Sequence, residues 1–287
     1  MRIDLHAHST HSDGREDVRT IFSSAQTAGV DVLALTDHDS TAGWSEATEV
    51  AVELGMGFVP GIEVTTMAQG RNKPFSVHML AYLPDPNNVA LQVVLRNTVV
   101  AREQRLRDIT ELVAPVWQIS WEDVVAQLRD GATMGRPAVA DALIAAGHFE
   151  NRDQVFKDVL YDGSEFYVSN ESAPDVLDAI DLIRAAGGVP IIAHPLGRSD
   201  GKHALPEAHF RAMIEAGLGG FEVYHRDVPE FAREWLIELA HEFDLIVTGS
   251  SDYHGLTGKE NRLGENLTAP EMLERIAAQG FCEVTYP

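Results

Sequence analysis

The feature that most constrains this chain is a series of short apolar runs, each ending in a side chain that metal ions favour as a ligand. The first is Ile3–His8, in which two histidines stand one residue apart. On a β-strand, residues i and i+2 point to the same face, so His6 and His8 present two imidazoles to one side. Six later runs end in Asp37–His38, Glu63, His78, His194, His225 and Ser251–His254. Independent core histidines would not fall so regularly at strand ends, so the series predicts one shared metal site.

Helical segments alternate with these runs over most of the chain. Residues 16–28 have apolar side chains at helical spacing, and residues 43–54 form a second such segment. Strands that alternate with helices predict parallel β/α units. About seven units suit one (β/α) barrel, whose active site lies at the C-terminal ends of the strands. Further strands are expected at 58–63 and 77–82, with a short closing strand at 281–284.

The alternation stops over residues 97–172, where the pattern is mostly helical and no strand ends in a ligand. We interpret this interval as an inserted helical subdomain. Residues 1–96 and 173–287 then form the barrel domain.

Composition excludes several other classes of protein. No apolar stretch reaches the ~20 residues of a membrane helix, and the N-terminus lacks the pattern of a secretion signal. Cys282 is the only cysteine, so disulfides within the chain are excluded and thiolate metal sites are not expected. This cysteine usage predicts a cytoplasmic location. The net charge of −22 argues against binding to long nucleic acids, which need a basic surface.

The candidate ligands supply nitrogen and carboxylate oxygen, a mixture that suits zinc, manganese or iron rather than calcium. They are too many for one ion and predict two or three adjacent divalent ions. The nine candidates are His6, His8, Asp13, His38, Glu63, His78, His194, Asp252 and His254. Asp37 and Asp39 are interpreted instead as caps of the helix after the second strand.

The motifs resemble those of the PHP (polymerase and histidinol phosphatase) family over nearly the whole chain. They are His6-x-His8, Asp13-Gly14, Thr36-Asp37-His38, Gly61-Ile62-Glu63, His78, Ala193-His194-Pro195 and Ser251-Asp252-Tyr253-His254. The opening segment and Leu35–Asp39 are similar to small PHP phosphoesterases, a subgroup that includes 3',5'-nucleoside bisphosphate phosphatases and the exoribonuclease RNase AM.

The resemblance implies a distorted (β/α)7 TIM-like barrel that holds up to three metal ions, with 97–172 capping the active site. It implies three ligand sets that share Glu63. They are His6, His8, Glu63 and Asp252 for one ion, Glu63, His78 and His194 for a second, and Asp13, His38 and His254 for a third.

The reaction expected from this resemblance is phosphoester hydrolysis by a hydroxide that bridges two metal ions, with Asp13, Glu63, Asp252 and His225 as catalytic residues. Arg136 stands at a predicted helix start and is expected to grip the substrate phosphate. Arg198, Lys157 and His225 are further candidates for substrate binding, and His225 is also the candidate proton donor. Asn170 departs from the histidine that relatives often have.

The expected substrate is a small phosphorylated molecule, a nucleotide such as a 3',5'-bisphosphate or a short oligoribonucleotide, and no protein partner is evident. Histidinol phosphatase activity is the alternative within the family. Amide hydrolysis at the same metal ions is a third enzymatic alternative, because a fold does not fix the chemistry. A metal-binding regulatory module is the non-enzymatic alternative.

Overall fold

Seven strands form one sheet, and their order across the sheet is their order along the chain. The computed structural model describes residues 1–70, 74–128, 134–161, 163–168, 173–196, 205–257 and 260–286. The strands are β1 (Ile3–Asp4), β2 (Val32–Leu35), β3 (Gly57–Gln69), β4 (Pro74–Tyr82), β5 (Val189–Ile192), β6 (Gly220–Tyr224) and β7 (Ile246–Gly249). The helices in this part of the chain are α1 (Val18–Thr27), α2 (Trp44–Leu54), α3 (Val89–Trp117), α4 (Trp121–Val125), α5 (Arg136–Ala145), α6 (Arg152–Asp158), α7 (Val176–Ala185), α8 (Glu207–Glu215), α9 (Glu230–Glu242) and α10 (Pro270–Ala277).

The two ends of the sheet meet next to the first histidine pair. Beyond β7, Tyr253 forms a parallel bridge with Ala7, and the N–H of His8 donates to the Tyr253 carbonyl over 2.8 Å. These bonds join the chain after β7 to the continuation of β1, so the sheet curves into a nearly closed barrel. The predicted distorted (β/α)7 barrel is therefore confirmed.

Strand β2 shows why the strands read as unbroken apolar runs. Val32 and Ala34 belong to the core inside the barrel, whereas Leu33 and Leu35 pack in the layer between the sheet and its helices. Both faces are thus covered, as in other sheets with helical crossovers.

Helix α1 covers part of that outer layer. Its buried residues are Val18, Ile21, Phe22 and Ala25, which lie at helical spacing on one face. The side chain of Asp17 caps the helix by accepting a hydrogen bond from the N–H of Thr20.

Strands β3 and β4 differ from the predicted parallel arrangement. They pair antiparallel over Gly61–Gln69 and Pro74–Tyr82, and β4 also pairs antiparallel with β5. The sequence leaves no room for a crossover helix between Gln69 and Pro74, and a parallel connection needs about a dozen residues. Because β4 runs in reverse, His78 at its centre pairs with Thr65 and lies toward the barrel end where the parallel strands terminate.

The predicted closing strand at 281–284 is not a strand in this structure. The chain instead forms an isolated antiparallel bridge one residue later, between Thr285 and Phe58. The C-terminal segment therefore adds a short contact on β3 and no eighth strand to the described sheet.

The chain divides into two compact units. One comprises Met1–Leu95 and Pro174–Pro287 and contains all seven strands. The other, Arg96–Ala173, contains most of α3 together with α4, α5 and α6, and has an apolar core of its own. Across the described residues, no helix has the length and apolar character needed to cross a membrane.

Candidate metal centre

Glu63 stands at the centre of a cluster of histidines inside the barrel mouth. Its side chain is 1% exposed. One oxygen, Oε2, lies 2.9 Å from His8 Nε2 and 3.1 Å from His6 Nε2. The other, Oε1, lies 2.6 Å from His78 Nδ1 and 3.2 Å from His194 Nε2. A single carboxylate thus has two imidazole nitrogens at each oxygen, which is the arrangement of a bridging ligand.

Three groups of ligand atoms converge at this point, with the atoms of each group within 4.8 Å of one another among the described residues. The groups are His6, His8, Glu63 and Asp252, then His8, Asp13 and His254, and finally His38, Glu63 and His78. The first group has the same members as the first predicted ligand set.

The members of the other two predicted ligand sets are grouped differently in the structure. His38 lies between them, with Nδ1 3.4 Å from Glu63 Oε2 and Nε2 3.8 Å from Asp13 Oδ2. His194 contacts Glu63 but falls outside the three groups. All nine candidate ligands nevertheless lie within one continuous cluster of contacts.

The strands place these side chains by simple alternation. His6 and His8 follow β1 and point into the cluster, while Ala7 between them packs in the outer apolar layer. In the hairpin, Glu63 and His78 come from neighbouring strands in which His78 pairs with Thr65. A register slip of one residue would turn any of these ligands away from the mouth.

Asp13 is held by a tight turn that only glycine permits. The N–H of Gly14 donates to the Ser9 carbonyl over 3.0 Å. A Cβ at position 14 would lie 2.2 Å from the carbonyl oxygen of His8, far inside contact distance. The turn brings Asp13 Oδ1 to 3.3 Å from His254 Nε2. Its side chain is 40% exposed, so this group forms the open edge of the cluster.

The hydrogen-bond partners of two histidines leave their inward nitrogens ready to bind a cation. His254 Nδ1 lies 2.8 Å from the carbonyl oxygen of Asp252, and His6 Nδ1 lies 2.9 Å from Glu222 Oε1. These oxygens accept, so each Nδ1 carries the proton and each Nε2 keeps its lone pair. Metal-binding histidines are usually oriented in this way.

His225 has the opposite arrangement. Its Nδ1 accepts the N–H of Asp227 over 3.1 Å. A neutral His225 ring therefore carries its proton on Nε2, which points toward Asp252 Oδ2 at 3.6 Å. The ring is fully buried. His225 is thus built to donate a hydrogen bond into the cluster rather than to ligate a cation.

The electrostatics of the cluster favour ionised carboxylates. Burial alone would raise the pKa of Glu63, but the charges of His38 and His78 hold it well below its usual range. Although the Asp13 side chain is partly exposed, desolvation by its neighbours would raise its pKa, but His254 and His38 hold that pKa well below its usual range. Burial lowers the pKa of His38 and of His194. Against burial, the neighbouring carboxylates raise the pKa of His6 well above its usual range and that of His8 to about 9. Divalent cations can take the place of these protons, so ionised carboxylates beside imidazoles form a donor set that fits such cations.

Sequence reasoning missed three buried carboxylates that support this cluster. Glu222 contacts His6 as described above. Asp37 accepts hydrogen bonds from the Ser9 N–H (2.8 Å) and from the hydroxyls of Ser9 (2.7 Å) and Ser12 (2.5 Å). Asp4 accepts the N–H groups of Ser251 and Gly264, both over 2.9 Å. Asp4 and Glu222 each interrupt an apolar run in the sequence, and this position could have indicated that they are buried carboxylates.

The capping role predicted for Asp37 and Asp39 is wrong. Helix α2 has Gly43 at its N-cap, with no side-chain hydrogen bond. Asp39 Oδ1 instead accepts the N–H of Thr65 over 2.9 Å and ties the end of β2 to β3. Both carboxylates hold loops beside the cluster.

The candidate substrate-binding residues are distributed over both units. Arg136 is the first residue of α5, and its Nη1 donates to the Leu160 carbonyl over 3.0 Å. Its guanidinium lies 5.6 Å from the ring centre of Phe156. Lys157 lies exposed in the last turn of α6. Arg198 and Asn170 lie outside the described residues.

Comparison with known proteins places the chain in a family. The PHP domain model matches residues 4–129. A 5'-3' exoribonuclease from Haemophilus influenzae is 33% identical over 270 residues, which cover 93% of this chain and 94% of that protein. The chain belongs to the PHP family. The nine-residue cluster described above thus lies in a chain that this relative matches over nearly its whole length.

Two other PHP relatives match at similar levels. A phosphoribosyl 1,2-cyclic phosphate 1,2-diphosphodiesterase from Eggerthella lenta is 30% identical, with 93% of this chain and 99% of that protein covered. A 3',5'-nucleoside bisphosphate phosphatase from Chromobacterium violaceum is 32% identical, with 88% and 87% covered. All three relatives are named for cleavage of phosphate esters, and this PHP chain is a phosphoesterase.

A solved structure supports the same fold. A protein from Bifidobacterium adolescentis, assigned as a metal-dependent phosphoesterase, superposes with a TM-score of 0.89 at 40% identity. The match covers 97% of this chain and 96% of that one. The two chains therefore share their fold over nearly their whole length.

Proposed function

We propose that this PHP protein hydrolyses phosphomonoesters of nucleotide-like substrates, namely 3',5'-nucleoside bisphosphates or the ends of short oligoribonucleotides. The observation that carries the proposal is the bridging position of Glu63 among four histidine nitrogens, each within 3.2 Å of one of its oxygens. The names of the Haemophilus and Chromobacterium relatives support this substrate class. The net charge of −22 favours a small substrate over a long nucleic acid.

The nine clustered side chains would hold two or three divalent ions of manganese, zinc or iron. Their nitrogen and oxygen atoms suit these metals, and Cys282 is the only sulfur ligand in the sequence outside methionine. Bound ions supply Lewis acidity toward the phosphoryl oxygens and lower the pKa of the attacking water. Asp13, Glu63 and Asp252 would hold the ions, with Glu63 as the ligand that the ions share.

Cationic and donor groups of the chain complete the proposed site. His225 donates from Nε2 to the leaving-group oxygen, the role that its fixed tautomer supports. Arg136, Arg198 and Lys157 bind the substrate phosphates. We further propose that 97–172 is an inserted subdomain that caps the active site of a barrel domain made of 1–96 and 173–287.

A phosphate-release assay tests the substrate class. Protein loaded with Mn²⁺ is offered 3',5'-bisphosphates, cyclic phosphodiesters, histidinol phosphate and short RNA. We expect inorganic phosphate from the 3',5'-bisphosphates or RNA ends. Release from histidinol phosphate alone would identify the alternative phosphatase. Because diesters yield a monoester and no inorganic phosphate, only the absence of phosphate, nucleotide and ring-opened products from every substrate would favour a regulatory module.

The metal ligands are tested by substitution of the bridging carboxylate. We expect Glu63→Ala to lose metal binding and phosphate release together, because four imidazoles lose their shared partner. Glu53→Ala is the matched control, since Glu53 is an exposed acid on α2 that pairs with Arg19. Metal content measured by elemental analysis, together with turnover, decides the question. Normal turnover in Glu63→Ala would refute the assignment.

A further inference from the structure

Glu222 is a buried carboxylate that joins three strand ends of the barrel. It lies in the middle of β6 and is fully buried. Its Oε1 lies 2.9 Å from His6 Nδ1 and also accepts a hydrogen bond from the hydroxyl of Ser250, which follows β7. Its Oε2 accepts the backbone N–H of His194, after β5, over 2.7 Å. Glu222 belongs to none of the three groups of converging ligand atoms.

The partners of Glu222 determine which way each hydrogen bond runs. A backbone N–H only donates, so the bond from His194 occupies Oε2 as an acceptor. A carboxylate also accepts at Oε1, so His6 must donate its Nδ1–H there. The lone pair of His6 is then on Nε2, which lies 2.9 Å from His8 Nε2 and 3.1 Å from Glu63 Oε2.

The same side chain holds a strained residue. His194 has a φ of 31°, a region that non-glycine residues rarely adopt. The bond from its N–H to Glu222 helps to fix that backbone conformation, and with it the approach of His194 Nε2 to Glu63. The positions of His6 and His194, which both contact Glu63, therefore depend on Glu222.

We propose that Glu222 is a positioning residue that sets the tautomer and orientation of His6, and the backbone of His194, for metal binding. This inference rests on the proposed metal centre. Carboxylates that accept from the outer nitrogen of a ligating histidine typically contribute 10- to 100-fold to metal affinity. Glu222 acts through His6 and His194 and needs no contact with substrate.

An isosteric amide makes a sharp test because it cannot satisfy both partners. In Glu222→Gln, the amide oxygen can face only one of the two donors, His6 Nδ1–H and His194 N–H. If it faces His194, the amide NH₂ faces His6 Nδ1 and favours the tautomer with a proton on Nε2. If it faces His6, the His194 N–H meets another donor. Either outcome removes a support of the metal ligands while the volume of the side chain is unchanged.

We expect Glu222→Gln to bind Zn²⁺ about 10- to 100-fold more weakly than the wild type, measured by competition with a chelator. The control is Glu53→Gln, which makes the same change on the exposed face of α2 and should leave affinity unaltered. Unfolding of the metal-free proteins is recorded alongside. A merely structural role predicts lower thermal stability with unchanged zinc affinity of the folded protein, and that result would overturn the proposal.

Two further measurements test the proposal if Glu222→Gln does not fold. The zinc-loaded wild type should show an exchange-protected Nδ1–H resonance of His6 in ¹⁵N-resolved NMR spectra, and its absence would overturn the proposal. Glu222→Asp keeps the charge but is one methylene shorter, so we expect it also to bind zinc more weakly. Wild-type protein that binds no zinc would remove the proposed metal centre itself. Wild-type binding matched by Glu222→Gln would remove only the role of Glu222.

Discussion

At the scale of single residues, hydrogen-bond direction separates the histidines of this site into two kinds. His6 and His254 donate from Nδ1 to oxygen atoms and present Nε2 lone pairs to the cluster. His225 accepts at Nδ1 from the Asp227 N–H and presents a proton instead. Residue type alone could not make this distinction, because the partner atoms come from a carboxylate on another strand and from local backbone.

The donor role of His225 predicts that loss of its side chain lowers turnover without lowering metal binding. We expect His225→Ala to retain its metal content, because no lone pair of His225 faces the cluster, and to lose about 10²- to 10⁴-fold in kcat, the range for a general acid. His225→Gln restores an N–H donor near the Nε2 position but cannot transfer a proton. Recovery of kcat in His225→Gln indicates hydrogen bonding to substrate, whereas continued loss indicates proton transfer. Metal loss in His225→Ala would contradict the donor role.

At the scale of elements, the sequence identified what depends on local pattern and missed what depends on pairing. Alternation and helix-ending glycines are local, so β2, α1 and α2 were placed to within a few residues. The antiparallel course of β4 depends on its partners β3 and β5 and was missed. The burial of Glu222 was missed for a related reason, since only the closed barrel shows which face of β6 points inward.

Helix α1 offers a prediction at this scale. The Asp17 side chain accepts the N–H of Thr20 at the start of the helix. We expect Asp17→Ala to lower the free energy of unfolding by about 1 kcal/mol, the usual contribution of such a cap. The control is Glu49→Ala on the exposed face of α2, expected to change stability by less than about 0.5 kcal/mol. Urea unfolding at neutral pH measures both differences.

The contribution of Asp17 should depend on pH in a definite direction. The hydrogen bond from the Thr20 backbone lowers the pKa of Asp17 in the folded state. A carboxylate whose folded pKa is lowered stabilises the protein above its unfolded pKa, and this contribution disappears as pH falls through the folded pKa. The difference between wild type and Asp17→Ala should therefore shrink below pH about 4. A difference that grew on acidification would contradict the cap.

At the scale of the whole molecule, the candidate ligands span the chain from His6 to His254. They lie on β3 and β4 or in the segments that follow β1, β2, β5 and β7. The hydrogen bond from the His8 N–H to the Tyr253 carbonyl joins the first and last of these segments. Ions bound to this cluster would tie together strand ends that are far apart in sequence. Metal binding should therefore stabilise the barrel globally rather than one local segment.

This coupling predicts a large thermal shift on metal removal. A ligand present at 100 times its Kd stabilises the folded state by roughly 2.7 kcal/mol. For a domain of this size each kcal/mol corresponds to about 2–4 °C, so chelation should lower Tm by roughly 5–10 °C. Added Mn²⁺ or Zn²⁺ should restore it. Glu63→Ala provides the decisive comparison, because without the bridging carboxylate its Tm should be insensitive to both chelator and metal. If wild type and Glu63→Ala responded equally, the ions would be binding elsewhere on this acidic surface, and the strand ends would not be held together by the cluster around Glu63.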